Sequence, residues 1–303
     1  MGRLLIIANP AASGFTGAAL RTATNILGRR YDVDTAWPTS AAGSREAAAV
    51  AAAEGYEVVA AMGGDGVAHH VAQGLIRTET ALAVIPAGTT NVIARIIGLP
   101  KRTRKAASAL VEAEARAVNV VNVTDGERSD YALFALGIGF DAEMVRESER
   151  RPHSKGTIGA LHYVRSAVAV AVRDYRTKPP NLRATCNGDS VDAVSVMVQV
   201  HSPYTFFGPV ALHLSPDEED GPAAFAAERL PVNRAAAILA RSAVKRDVAG
   251  SRGTHVWPGF KKLIVEADPP AFIQADGDLI GRGDYFEVTP STDALKMLLP
   301  KEK

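Results

Sequence analysis

Cysteine is almost absent from this chain of 303 residues, and Cys186 is the only one. A disulfide within the chain is therefore excluded, and a single thiol is typical of a reducing compartment, which predicts a cytoplasmic location. An excess of charge of one sign is lacking too, because 34 Lys and Arg balance 33 Asp and Glu to leave a net charge of +1. Proteins that bind nucleic acid usually carry a basic surplus, so we predict no nucleic-acid partner.

A hydrophobic run long enough to cross a membrane, about 20 residues, is also missing. Charged residues interrupt the longest candidates, as Glu54 does in one and Arg165 in another. The apolar segment 4–8 is too short for the core of a signal peptide. With 47% hydrophobic and 22% charged residues, the composition is that of a globular protein, which we expect to be soluble.

Short apolar segments alternate with helical stretches over the first 118 residues. This alternation is typical of a doubly wound α/β domain with a parallel sheet. The predicted strands are Arg3–Ala8, Tyr31–Thr35, Glu57–Met62 and Ala81–Ile85.

After Arg116 the pattern changes to closely spaced strands separated by turn-rich segments, which predicts a mostly β second domain. We therefore predict domains at 1–118 and 119–303, with the extreme C-terminus as a candidate to return to the first. Helices are expected at Thr157–Tyr175 and Val232–Lys245. The predicted strands are Val118–Val123, Tyr131–Leu136, Asn181–Asn187, Val191–Val200, Val210–Leu214, Leu263–Ala267, Ala271–Ala275, Phe286–Thr289 and Leu295–Leu299.

Three glycine turns follow predicted strands of the first domain, each just before a helical stretch. The first turn holds Ser13-Gly14, the second Gly63-Gly64-Asp65-Gly66 and the third Gly88-Thr89-Thr90-Asn91. The carboxyl ends of parallel strands share one edge of a sheet, and helix N-termini there offer free N–H groups to phosphates. One such turn is usually only a tight connection, but three together favour a nucleotide-phosphate site.

Asp65 places a carboxylate inside this predicted phosphate site. A carboxylate repels phosphate unless a cation lies between them, and Mg²⁺ is the natural choice. The alternative is that Asp65 only caps a helix beginning near Val67.

These motifs resemble the diacylglycerol kinase catalytic-domain family, which also contains bacterial lipid kinases and is related to sphingosine kinases. The segment Glu57–Gly66, which contains the second turn, resembles the family's GGDG signature. Asn9-Pro10 followed by Ser13-Gly14 is similar to the family's first glycine turn, and Pro86–Asn91 to its second. The matching elements, in the family's order, are Asn9-Pro10 with Ser13-Gly14, Gly63–Gly66, Gly88–Asn91, Gly137–Asp141, Asp220-Gly221 and Asp276-Gly277-Asp278.

The resemblance implies a phosphofructokinase-like ATP-binding domain followed by a β-sandwich lipid domain. It implies ATP and Mg²⁺ as co-substrate and cofactor, and a lipid hydroxyl, first of all that of diacylglycerol, as acceptor. The implied catalytic residues are Asp276, Asp278 and Asp65. The implied ATP-binding residues are Asn9, Pro10, Ser13, Gly14, Thr39, Gly63, Gly64, Asp65, Gly66, Val67, Gly88, Thr89, Thr90 and Asn91.

A structural Mg²⁺ site is also implied in the second domain, formed by Asp217, Asp220 and the carbonyl of Pro222. The acidic run 217–220 points the same way, since it needs either a cation or solvent exposure. The alternative for Asp276-Gly277 is an ordinary Asp-Gly hairpin turn.

Several positions depart from the family's pattern. Val67 stands in place of the usual Thr, Val92 in place of a frequent Asp, and Asp278 in place of a Glu. These changes keep open a catalytically inactive lipid- or nucleotide-binding regulator, and the shared GGDG motif keeps open an NAD kinase.

Membrane contact is expected to be peripheral, at the inner face. The basic cluster Lys101, Arg102, Arg104 and Lys105 would add about 1 kcal/mol per residue at an anionic surface. The sequence leaves the oligomeric state open, with a homodimer among the candidates.

Overall fold

A computed structural model describes residues 1–149, 175, 178–216 and 221–301. The described residues fall into two compact units, one within residues 1–119 and 292–301 and the other within residues 120–291. The prediction that residues 1–118 and 119–303 are separate domains stays a prediction.

The first unit is built on a parallel sheet. Strand β1 lies between β2 and β3, and β3 lies between β1 and β4. The last segment of β16 adds to β4 in parallel through Met297 and Leu82. The elements are β1 (Gly2–Ala8), α1 (Gly17–Leu27), β2 (Tyr31–Ala36), α2 (Ala41–Ala53), β3 (Val58–Gly63), α3 (Asp65–Leu75), β4 (Ala81–Pro86), α4 (Val92–Ile96) and α5 (Thr103–Val111).

Helices cover both faces of this sheet. The connection from β1 to β2 and the connection from β2 back to β3 run in opposite directions, so right-handed crossovers place α1 and α2 on opposite faces. Helix α1 packs with α5, and α2 packs with α3. Every residue of β3 and β4 is buried, as expected for strands covered on both sides.

The second unit is rich in antiparallel strands. Strand β10 pairs with β7 and β13, β13 with β14, and β15 with β7, β8 and β16. The elements from the junction onward are β5 (Glu114–Thr124), β6 (Ser129–Ala132), β7 (Ala135–Gly139), α6 (Phe140–Glu149), β8 (Leu182–Cys186), β9 (Asp189–Ala193), β10 (Ser195–Gln199), β11 (Thr205–Phe207), β12 (Val210–Leu212), β13 (Ala223–Ala227), α7 (Val232–Val244), β14 (Thr254–Pro258), β15 (Leu263–Ala275) and β16 (Asp278–Leu299).

The core of the second unit lies along β7, β10 and β15. The side chains there are fully buried, as for Ile138, Val196, Val198, Leu263 and Val265, each of which is 0% exposed. Cys186 belongs to the same cluster, and burial raises the pKa of its thiol to about 11. This cysteine is therefore a core residue.

The mixed character of the fold was predicted correctly: a parallel α/β sheet followed by a strand-rich region. The predicted strands of the first domain and the helix at Val232–Lys245 are confirmed to within a few residues. The helix predicted at Thr157–Tyr175 lies outside the described residues, apart from Tyr175.

Several strand predictions in the second unit were wrong in their limits. Tyr131–Leu136 and Val191–Val200 each divide into two strands, whereas the strands predicted on either side of Asp268-Pro269-Pro270 join as β15. A register shift between Glu266 and Ala271 accommodates the prolines within β15, which is where a sheet tolerates them. Strand β13 was missed because its sequence, Ala-Ala-Phe-Ala-Ala, has little β propensity.

Candidate active site

The three glycine turns come together at the carboxyl edge of the parallel sheet. Strands β1, β3 and β4, which precede them, are successive neighbours, and the direction of winding reverses between β1 and β3. Ligands of open α/β sheets bind outside the strand ends at such a reversal. We call the three turns together the glycine-turn cluster.

Direct hydrogen bonds join the first and third turns. The Gly14 N–H donates to the Ala87 carbonyl at 2.8 Å, and the Ser13 and Thr89 hydroxyl oxygens lie 3.1 Å apart. A Cβ on Gly14 would come within 3.0 Å of the Ala87 carbonyl oxygen. The first turn is therefore close against the third, and glycine permits that approach.

The second and third turns are also in contact. The Ala87 N–H donates to the Gly63 carbonyl at 2.8 Å. A Cβ on Gly88 would lie only 2.5 Å from the Gly64 Cα, so Gly88 has no room for a side chain. A Cβ on Gly64 would meet the Gly88 Cα at an ordinary 3.5 Å.

Asn91 shapes the third turn from within. Its side-chain oxygen accepts the Gly88 N–H at 2.9 Å, and its amide nitrogen donates to the Gly88 carbonyl at 2.7 Å. Asn91 has a φ of 49°, a left-handed conformation that Asn tolerates better than most residues. The residue type is thus accounted for by the turn itself. Thr90, beside it, is exposed.

Asn9 has the equivalent role in the first turn. Its side-chain oxygen accepts the Ala11 N–H at 2.9 Å, and its own N–H donates to the Met62 carbonyl at 3.0 Å. Pro10 is exposed beside it. The segment 9–14 is therefore anchored to the end of β3 as well as to the third turn.

Asp65 does not cap the helix that follows the second turn. Helix α3 begins at Asp65 itself, and its N-cap is Gly64, without a side-chain cap. The Asp65 carboxylate instead accepts the Ile93 N–H at 3.1 Å, at the start of α4. Asp65 therefore connects the second turn to the helix that follows the third, and the simple capping alternative is wrong.

Arg95 is a functional candidate that the sequence analysis missed. Burial lowers the pKa of its guanidinium, and the charge of Asp65 partly offsets that effect. A positive side chain on α4 thus shares the electrostatic environment of Asp65. No sequence motif marks Arg95, because its importance depends on where the turn places α4.

The two valines that depart from the family's pattern have structural surroundings that account for an apolar side chain: Val67 packs against Gly63, and Val92 is buried. A Cβ on Gly63 would come 2.6 Å from a methyl group of Val67, so Val67 packs directly over that glycine. Val92 is 4% exposed. Within the glycine-turn cluster, Asp65 accordingly supplies the carboxylate.

Thr39 belongs to the first unit and follows the end of β2 by three residues. It is exposed in the loop between β2 and α2, just before Ser40, which is the N-cap of α2. Among the residues that the structure describes, no hydrogen bond joins Thr39 to the three turns.

In the second unit, Asp276 and Gly277 form the two-residue loop of the β15–β16 hairpin. Ala275 pairs with Asp278 across the loop, and both loop residues have positive φ, at 54° and 90°. That conformation is a type I′ turn, for which Asp-Gly is a preferred sequence. The hairpin interpretation of Asp276-Gly277 is thus correct as a description of the backbone.

The Asp276 side chain does more than such a turn requires. It is 3% exposed, and its carboxylate accepts the N–H groups of Leu133, Phe134 and Ala135 at distances from 2.8 to 3.1 Å. The Asp276 N–H donates back to the Ala135 carbonyl at 2.8 Å. We call these contacts the Asp276 clamp; they fix the hairpin loop to the chain that leads into β7.

A second buried network holds the same loop. Tyr204 and Gln274 both donate to one oxygen of Asp141 at 2.6 Å, and the Gln274 oxygen accepts the Gly277 N–H at 2.8 Å. Burial raises the pKa of Asp141, although both hydrogen bonds act in the opposite direction. The sequence analysis matched Asp141 to a motif but missed Tyr204 and Gln274.

Asp278 follows the loop and is partly buried. Asp278 belongs to the same hairpin as Asp276. The acceptor of the three N–H groups of the clamp is Asp276 and not Asp278.

The predicted structural metal site cannot be followed in full, because Asp217 and Asp220 lie outside the described residues. Pro222 is described and is buried. Within the part of the chain that the structure describes, no group of three or more His, Cys, Asp or Glu side chains is placed to hold a metal ion. Likewise, no described helix is long and apolar enough to span a bilayer.

Comparison with known proteins identifies the relatives of this chain. Residues 3–123 match the family model described as the diacylglycerol kinase catalytic domain. An uncharacterized protein of Synechocystis sp. is 24% identical over 75% of this chain and 52% of its own length. A diacylglycerol kinase of Mycobacterium tuberculosis is 37% identical over 37% of each chain. The matched segments thus span about half or less of these relatives.

Similarity of fold extends further than similarity of sequence. The crystal structure of a putative diacylglycerol kinase from Bacillus anthracis has a TM-score of 0.77 and 17% identity, and the match covers 98% of this chain and 96% of that one. Both units of the present chain therefore share a known fold.

Proposed function

We propose that this protein is an ATP-dependent lipid kinase. Residues 3–123 match the diacylglycerol kinase catalytic domain, and the chain belongs to that family. It transfers the γ-phosphoryl group of ATP to a lipid hydroxyl, with diacylglycerol as the first acceptor. The proposal includes a phosphofructokinase-like first domain and a β-sandwich second domain. The observation that carries it is the glycine-turn cluster with Asp65 inside it.

The backbone of the glycine-turn cluster is suited to phosphate. Gly14, Gly64 and Gly88 let the three turns approach one another closely, and the helices behind the second and third turns begin there. Free N–H groups at helix starts and the absence of side chains allow phosphate oxygens to approach the backbone. We assign Asn9 and Asn91 the role of holding these turns in shape, and Ser13 and Thr89 that of hydroxyl donors to the phosphates.

Asp65 fits a magnesium ion, because Mg²⁺ in phosphoryl-transfer sites is usually held by one or two carboxylates together with substrate phosphates. When bound, the ion neutralises charge on the phosphates. With Val92 buried in place of a second carboxylate, Asp65 is the residue that would hold it. The positive charge of Arg95 interacts with Asp65, and it would reduce the repulsion between the Asp65 carboxylate and the phosphates.

A carboxylate of the β15–β16 loop takes the proton from the lipid hydroxyl. Asp276 is the predicted base, and Asp278 is the second carboxylate of the same turn. A hydroxyl proton leaves late in such transfers, so a base of ordinary carboxylate strength is sufficient. Because both carboxylate oxygens of Asp276 already accept hydrogen bonds in the clamp, protonation of Asp276 must weaken those bonds. The role of Asp276 in the clamp and its role as a base can be tested separately.

The lipid acceptor implies contact with a membrane surface from the cytoplasmic side. Lys101, Arg102, Arg104 and Lys105 are all exposed around the start of α5. At an anionic bilayer such residues contribute about 1 kcal/mol each. We propose this basic cluster as a peripheral contact with the inner face of the membrane.

The acceptor separates this proposal from its rivals. Labelled ATP and Mg²⁺ would be offered with mixed lipid micelles in one reaction and with NAD in another. Label in the lipid supports a lipid kinase, label in NAD supports an NAD kinase, and label in neither supports an inactive binding protein.

A further inference from the structure

An exposed tryptophan stands next to the glycine-turn cluster. Trp37 directly follows β2 and is 49% exposed. Its ring centroid lies 5.8 Å from that of Phe15, at an interplanar angle of 85°. Phe15 is the residue after Gly14, so this aromatic pair begins where the first glycine turn ends.

The position of Trp37 follows from the sheet. Strands β1 and β2 are parallel neighbours, with Ile7 opposite Ala36, so Trp37 leaves the sheet at the same edge as the first turn. The second turn follows β3, on the other side of β1. Two strand spacings, about 10 Å, therefore separate the end of β3 from the end of β2 along that edge.

We propose that Trp37, supported by Phe15, is the stacking platform for the base of the bound nucleotide. The proposal rests on the proposed function, because it takes the phosphates to lie at the glycine-turn cluster. In this proposal the base extends from the phosphates along the strand-end edge towards β2, and the ribose spans the distance to Trp37. An edge-on neighbour covers at most one side of the indole, which leaves the ring available to a flat ligand.

The contrast with the other tryptophan of the chain shows why Trp37 calls for a functional explanation. Trp257 is 8% exposed and belongs to the core of the second unit, where burial of its ring accounts for its presence. Trp37 instead keeps about half of its surface in solvent, so burial of its ring does not account for its presence.

Stacking alone does not select one base. Every base has a π-face, and aromatic platforms bind bases with little regard to sequence. We therefore expect adenine and guanine nucleotides both to use Trp37, with any preference between them arising from other contacts.

Tryptophan fluorescence of the full chain tests this platform, because Trp37 is one of only two tryptophans and the other is in the core. ADP should quench the emission when it is excited where adenine does not absorb. Inorganic tripolyphosphate, which has the phosphates but no base, should bind without quenching. The matched control Trp257→Phe should keep the ADP-dependent quenching, and Trp37→Phe should lose it.

Affinity supplies the second measurement. Trp37→Ala should weaken ADP binding by roughly ten-fold, the size of one base–aromatic stack, and leave tripolyphosphate binding unchanged. Trp37→Phe should retain most of the ADP affinity. Equal ADP affinity in Trp37→Ala and the parent would overturn the platform and leave the kinase proposal standing. A parent chain that binds neither ADP nor tripolyphosphate would overturn both.

Discussion

The Asp276 clamp leads to a quantitative prediction for Asp276→Asn. The carboxylate accepts N–H groups from three successive residues, 133–135, and hydrogen bonds to a charged acceptor are worth about 1.5–3 kcal/mol each, against 0.5–1.5 for neutral pairs. Asn keeps the shape of the side chain but loses the charge, which costs about 1 kcal/mol per bond and about 3 kcal/mol in all. Asn also tolerates the positive φ of 54°, so backbone strain adds nothing.

Thermal unfolding measures this loss directly. For a unit of this size, 3 kcal/mol corresponds to a fall in Tm of about 6–12 °C. Asp278→Asn is the matched control, because it removes a charge from the same hairpin without touching the clamp, and its Tm should stay close to that of the parent. If Asp276→Asn unfolds at the parent's temperature, the clamp does not stabilise the fold and the reasoning fails.

Turnover separates the clamp role from the base role. If Asp276 is also the base, kcat of Asp276→Asn falls by about 10²-fold or more at a temperature where the variant is fully folded, with ATP affinity little changed. If Asp278 is the base, that fall belongs to Asp278→Asn. Near-normal turnover in both variants would remove this turn from the chemistry.

Three further predictions concern the glycine turns and the buried network. Gly88→Ala should weaken ADP binding at least ten-fold, measured by calorimetry, because its Cβ would lie 2.5 Å from the Gly64 Cα. Gly64→Ala, whose Cβ would make only an ordinary contact, should leave the Tm unchanged in thermal unfolding. Asp65→Asn can still accept the Ile93 N–H, so it should lower kcat by about 10²-fold with little loss of Tm, whereas Asp65→Ala should lose both. Burial raises the pKa of Asp141 above its ordinary value of 3.8, so its contribution to stability is fully present below that pH and is lost as the pH rises through the folded-state pKa. Asp141→Asn should therefore unfold at a higher temperature than the parent at neutral pH, and the difference should narrow below pH 3.8; a constant difference would show that Asp141 does not titrate differently on folding.

Local patterns predicted the first unit well because its strands are short, apolar and bounded by glycine turns. The same rule placed Gly14, Gly64 and Gly88 at one edge of the sheet, since parallel neighbours end together. The hydrogen bonds that join one turn to another could not be predicted. The bond from Ile93 to Asp65 spans 28 residues and depends on the left-handed conformation of Asn91, which no periodicity reveals.

The second unit was harder to predict because its contacts are distant in sequence. The Asp276 clamp joins residues more than 140 positions apart, and the Tyr204–Asp141 bond spans 63. One signal was available in the strand Ala271–Ala275, where Gln274 interrupts an apolar run. A polar side chain at a position that the strand buries needs a buried partner, and Asp141 is that partner.

The most direct test of the central claim is the initial rate at which labelled phosphate passes from ATP to diacylglycerol in mixed micelles. Parent chain and Asp65→Asn would be measured side by side, each with and without Mg²⁺. We predict phosphorylated lipid from the parent only when Mg²⁺ is present, and a rate at least 10²-fold lower from Asp65→Asn. No labelled lipid from the parent, or equal rates from the two proteins, would contradict the account.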